Sequence, residues 1–138
     1  MPRHQRILVA DSSKYFSNTI WRMLIPESEF ELVGLTENTD ETINMALMLS
    51  PDIILVDLSH SEIRGLQTVA ALRLAQPQIP IVTLMPMTSY EYTRASIDAG
   101  ATVCLTKSEI ANNLAKTLRN LKPVQLSIEE NLLACSSI

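Results

Sequence analysis

The stretch Pro51-Asp52-Ile53-Ile54-Leu55-Val56-Asp57-Leu58-Ser59 decides the fold. Four aliphatic residues stand in a row without polar alternation, so the segment reads as a strand covered on both faces. Such strands belong to parallel sheets that carry helices on each side. The run ends directly in a carboxylate, Asp57. Upstream, Ile7-Leu8-Val9-Ala10 repeats the pattern and ends in Asp11. Downstream, Ile79 to Met85 and Thr102 to Leu105 read as two more strands, and Phe30 to Leu35 as a more polar one.

Helical spacing fills the intervals. Phe16, Ile20 and Met23 or Leu24 lie on one face of a segment from Ser12 to Ile25, with Asp11, Ser12 and Ser13 as candidate N-caps and Pro26 as the stop. Asp40 to Leu49, Gly65 to Ala75 and Thr88 to Ala99 supply three more helices, the last closed by Gly100 as C-cap. Ser108 reads as the cap of a fifth, in which Ile110, Leu114, Leu118 and Leu121 recur before Lys122-Pro123. Strands alternating with helices in this way predict an α/β chain built on a doubly wound five-stranded parallel sheet. Ligands of such sheets bind outside the carboxyl ends of the strands.

Composition narrows the class. The chain has 138 residues, 46% of them hydrophobic, which suits one domain with a core of ordinary size. Eleven basic against fifteen acidic residues give a net charge of −4, so direct binding of nucleic acid is not expected. Cys104 and Cys135 have neither the spacing nor the histidine neighbours of a zinc site and read as bystander thiols. The apolar run after Met1 stops at Asp11, too short for a signal peptide or a membrane span, so a cytoplasmic protein with no membrane contact is expected.

The residues at the strand ends are then the candidates for chemistry. Asp11, Ser12 and Ser13 follow the first strand, Asp57 and Ser59 the third, Met85, Met87 and Thr88 the fourth, and Thr106 and Lys107 the fifth. A carboxylate at a strand tip can attack phosphorus to form an acyl phosphate when cations offset the charge. Asp57 fits that role, Asp11 beside it fits a hard cation such as Mg²⁺, and Lys107 fits a phosphoryl contact. Taken singly, an acid after an apolar strand is more often a helix cap.

Over about residues 5 to 122 the chain resembles the receiver domain of bacterial two-component response regulators. Three segments carry the likeness: Arg6-Ile-Leu-Val-Ala-Asp11, Pro51-Asp-Ile-Ile-Leu-Val-Asp57-Leu-Ser, and Gly100-Ala-Thr-Val-Cys-Leu-Thr-Lys107. Gly65 stands where the family's glycine opens its third helix. The resemblance implies a flavodoxin-like (βα)5 receiver over residues 1–122, with 123–138 as a tail or the start of a linker to an output domain. It implies that Asp57 accepts a phosphoryl group from a histidine kinase or phosphotransfer protein, with Lys107 on the phosphoryl group. It further implies Mg²⁺ held by Asp11, Asp57 and the backbone carbonyl of Ser59, and pairing of two copies through helix four, strand five and helix five.

Several positions depart from the family pattern. Ser12 replaces the second acid after strand one, which weakens the expected metal binding. Met85 stands where a phosphoryl-binding hydroxyl is usual, and a thioether donates no hydrogen bond. Thr83 lies roughly 6.6 Å back from the tip and Thr88 beyond it, so either would need a shifted backbone to substitute. Cys104 replaces the switch aromatic, and His60-Ser61 replaces Met-Pro. The expected protein is therefore an atypical receiver and not an enzyme in its own right. The alternative is a phosphorylation-independent interaction or dimerisation module, with Tyr90 and Tyr92 as candidate exposed aromatics, or the N-terminal part of a DNA-binding regulator. A cofactor-binding domain fares worst, because no Gly-rich loop follows strand one and Asp57-Leu-Ser-His60 misses the cobalamin spacing.

Overall fold

The apolar run ending at Asp57 is the central strand of a five-stranded sheet. A computed structural model describes residues 4–10, 14–24, 26–59 and 62–121. The strands are β1 (Gln5–Ala10), β2 (Phe30–Thr36), β3 (Ile53–Asp57), β4 (Ile81–Met85) and β5 (Val103–Thr106). The helices are α1 (Lys14–Leu24), α2 (Thr39–Leu49), α3 (Glu62–Ala75), α4 (Tyr90–Ala99) and α5 (Lys107–Asn120). All strand pairs are parallel, in the order β2-β1-β3-β4-β5. The expected doubly wound sheet is borne out.

Successive residues of β3 point to opposite sides, and both sides are apolar. Ile53 and Leu55 pack with Ile20 and Leu24 of α1 and with Ile110, Leu114 and Leu118 of α5. Ile54 and Val56 pack with Ala46 of α2 and with Val69 and Leu72 of α3, and Tyr92 and Ala99 of α4 lean on the same cluster. Each fully buried Ile or Leu contributes about 2 kcal/mol. This is why β3 carries no polar residue until Asp57. Among the described residues, no helix is long and apolar enough to cross a membrane.

Several boundaries differ from the sequence reading. α3 begins at Glu62, so Gly65 lies inside the helix and does not open it. A Cβ at Gly65 would stand 2.3 Å from Leu58 Cδ2, so the glycine serves the close approach of α3 to the residue after Asp57. β4 begins at Ile81, two residues later than expected, after Pro80, which has no N–H to give to a ladder. α4 begins at Tyr90, because Ser89 is its cap and accepts from Tyr92 N–H at 3.3 Å.

Gly100 is the C-cap of α4 as expected, with φ of 123°. Arg73, near the end of α3, donates from Nε and Nη2 to the Gly100 carbonyl at 3.0 and 2.8 Å. It also donates to the carbonyls of Gln76 and Pro77 at 3.1 and 3.0 Å. Partial burial lowers its pKa from the ordinary arginine value. The Arg73 clamp ties the end of α3 to the turn between α4 and β5.

Candidate functional site

Asp57 is the last residue of β3 and only 8% exposed. The chain turns sharply behind it. Ser59 N–H donates to Asp57 Oδ1 at 3.0 Å, closing an Asx turn. The Ser59 hydroxyl lies across the carboxylate, 2.7 Å from Oδ1 and 2.7 Å from Oδ2. One hydroxyl proton faces two acceptors, so the bond is shared between them. On its other side the same oxygen accepts from Lys107 Nζ at 2.9 Å. Asp57, Ser59 and Lys107 thus come together, with Ser59 entering through its side chain, where the sequence reading had assigned only its carbonyl.

Lys107 reaches this place because no loop separates β5 from α5. Thr106 ends the strand and caps the helix. Its hydroxyl accepts from Glu109 N–H at 3.3 Å, and Glu109 Oε1 accepts from Thr106 N–H at 3.1 Å, which makes a capping box. The Thr106 hydroxyl also donates to Glu109 Oε1 at 2.7 Å. These bonds hold the Glu109 carboxyl below its ordinary value of 4.5. Ser108, expected as the cap, is instead within the first turn of α5, because Thr106 is the residue with a glutamate three positions on.

A second cluster joins β4, β5 and α4. Met85 is buried at the end of β4, where its sulfur accepts from the Thr93 hydroxyl at 3.9 Å. Thr83 is fully buried and donates to the sulfur of Cys104, its partner across the strand pair, at 3.1 Å. The Cys104 thiol points to the Thr93 carbonyl at 3.9 Å. Such bonds to and from sulfur are weak. Thr83 therefore spends its hydroxyl on Cys104. Tyr90 is exposed, whereas Tyr92 is partly buried against the core.

A cleft of about 630 Å³ opens beside Asp57 between the tip of β2 and the first turns of α2 and α3, with Thr36, Asn38, Arg64 and Thr68 on its walls. Two hydroxyl pairs brace it, Thr36 with Thr42 and Thr39 with Thr68, each at 2.6 Å. Sequence reasoning missed this wall, having weighed the ends of strands one, three, four and five. Thr36-Glu-Asn38, standing between strand two and a helix, was the available signal. Asp11, Ser12, His60 and Cys135 lie outside the described residues. No group of three or more metal-ligating side chains forms among the described ones. The Asp57 carboxylate and the Ser59 carbonyl are both oxygen donors, which suits a hard cation such as Mg²⁺ and not a soft one.

A family model for the response regulator receiver domain matches residues 7–119. The chain belongs to that family. The receiver is 30% identical over 131 residues to a protein-glutamate methylesterase/protein-glutamine glutaminase of Saccharophagus degradans, covering 93% of this chain and 34% of that protein. It is 28% identical over 114 residues to the response regulator GacA of Pseudomonas protegens, covering 83% of this chain and 54% of that one. In three dimensions it is similar to the response regulator domain of Thermotoga maritima CheB, with a TM-score of 0.76, 21% identity, and coverage of 88% of this receiver and 100% of that chain. The receiver thus spans about a third of the methylesterase relative, whose activities are that protein's own.

Proposed function

We propose that this receiver accepts a phosphoryl group on Asp57 from a phosphohistidine of a histidine kinase or phosphotransfer protein in the cytoplasm. One observation carries the reading: the buried Asp57 carboxylate has the Lys107 ammonium a single hydroxyl away. An Asp57 oxygen attacks phosphorus, the P–N bond breaks, and the imidazole leaves with the bonding pair. Lys107 offsets charge on the phosphoryl oxygens. Asp11, Asp57 and the Ser59 carbonyl would hold Mg²⁺, and Ser12, in place of a second acid, makes that hold weak. The metal would supply charge neutralisation between carboxylate and phosphoryl oxygens.

The sulfur-centred cluster supports a second reading, a module that works by dimerising or binding a protein partner without phosphorylation. It anchors α4 through Thr93 with no contribution from a phosphoryl group. The two readings part on Asp57→Asn. Incubation with acetyl phosphate or phosphoramidate and Mg²⁺, followed by intact mass measurement, should give a one-phosphoryl adduct on the native chain. Asp57→Asn should lose the hydroxylamine-labile fraction of it. Native chain that stays unlabelled, where an ordinary receiver labels, would overturn the phosphoacceptor reading.

A further inference from the structure

The contacts of Ser59 exceed what its turn requires. The N–H bond to Asp57 Oδ1 alone closes the Asx turn. The hydroxyl adds a donor bond to the carboxylate at 2.7 Å and accepts one from the ammonium at 2.9 Å. A hydroxyl between a carboxylate that can take its proton and a cation that stabilises its oxygen has the arrangement of an activated nucleophile. The base lies well within the reach of about 2.6–3.2 Å that proton abstraction needs. Of the two residues Ser59 is the less buried, half-buried where Asp57 is 8% exposed.

The two nucleophiles also differ in what attack demands. Attack by Asp57 proceeds against the Ser59 hydroxyl bond, which draws electron density from both carboxylate oxygens while leaving each a lone pair. Attack by Ser59 uses it. We infer that Ser59 is a second phosphoacceptor of this site, taking a phosphoryl group from a small acyl phosphate or phosphoramidate with Asp57 as general base. The inference rests on the reading that phosphoryl donors visit Asp57. Ser59 Oγ forms the new bond to phosphorus while the donor's P–O or P–N bond breaks and its pair leaves with the acid or amine. The hydroxyl proton passes to Asp57, and Lys107 faces the developing negative charge. The group comes from the donor and not from phospho-Asp57. In-line displacement sets entering and leaving oxygens on opposite sides of phosphorus, and Ser59 Oγ lies against the very oxygens that would leave.

The products are separable by their chemistry. A phosphoserine ester resists hydroxylamine, and an acyl phosphate does not. The full chain is incubated with acetyl phosphate and, separately, phosphoramidate, each with Mg²⁺. Each sample is analysed by intact mass and peptide mapping before and after treatment with hydroxylamine. A resistant adduct on Ser59 is expected, absent from Ser59→Ala, present in Ser59→Thr, and reduced about 100-fold in rate in Asp57→Asn. Circular dichroism of each variant checks that the fold is kept. If the native chain carries only a labile adduct on Asp57, the Ser59 inference fails and the phosphoacceptor reading stands. A resistant adduct alone would uphold Ser59 and overturn Asp57 as acceptor, and no adduct with either donor overturns both.

Discussion

Two clusters share the carboxyl edge of this sheet and are built from different materials. Around Asp57 the contacts are charged or charge-assisted and run from 2.7 to 3.0 Å. Between β4, β5 and α4 they pass through Met85 and Cys104 and run from 3.1 to 3.9 Å. The first can respond to an incoming anion, because it contains a carboxylate and an ammonium. The second contains no formal charge and has little electrostatic reason to respond. With Asp57 as the proposed acceptor, capture of a phosphoryl group would rest on the charged cluster and its transmission to α4 on soft, short-ranged contacts, so the two would be separable properties.

That separation can be broken from either side. Lys107→Ala should have the largest effect, lowering the rate of labelling by acetyl phosphate about 100-fold, with melting of the variant checking that the fold is kept. Labelling at the native rate would remove Lys107 from the chemistry. Cys104→Tyr should act on the other side, forcing a ring between β5 and α4 at a cost of about 1–3 kcal/mol, read in denaturant titration. Thr83→Val removes one bond to sulfur and should cost at most about 1 kcal/mol while leaving the labelling rate of Asp57 within about twofold of native. A large change in that rate would mean the clusters are coupled after all.

The smallest effect concerns the cap beneath Lys107. The Thr106 hydroxyl and N–H hold the Glu109 carboxyl below its ordinary value of 4.5, so the charged form is favoured in the folded state. Its contribution is complete above the unfolded value and is lost as pH falls through the folded one. Between roughly pH 5 and pH 3, stability of the native chain should therefore fall more steeply than that of Glu109→Gln. Parallel slopes in urea titrations would show that the capping carboxylate adds nothing.

Most of the fold was legible because the strands of a sheet covered on both faces advertise themselves. Ile53 to Val56 admits hardly any other reading, and Asp57 followed from where that run stops. Gly100 was legible as a cap because a positive φ at the end of a helix selects glycine. The boundaries misread were those with competing polar residues: Thr106, Lys107 and Ser108 offer two possible caps, and only the glutamate three positions beyond Thr106 selects between them. Gly65 misled because its purpose is tertiary, an accommodation of Leu58 that no local pattern encodes. The Lys107 bond to the Ser59 hydroxyl and the Thr93 bridge were illegible for the same reason, since each joins different elements of the fold.

The Arg73 clamp has a mechanical consequence for α4. Its C-terminal end is bolted by charged hydrogen bonds to the Gly100 carbonyl at 2.8 and 3.0 Å, while its first turns are fastened through sulfur at 3.9 Å. A rod held by charged bonds at one end and by weaker contacts at the other would yield by pivoting sooner than by sliding. With ten residues the rod is about 15 Å long, so a swing of roughly 10° about Gly100 carries its free end about 2.5 Å. Tyr90, 78% exposed, rides at that end and would sweep the widest arc of any aromatic ring on the helix.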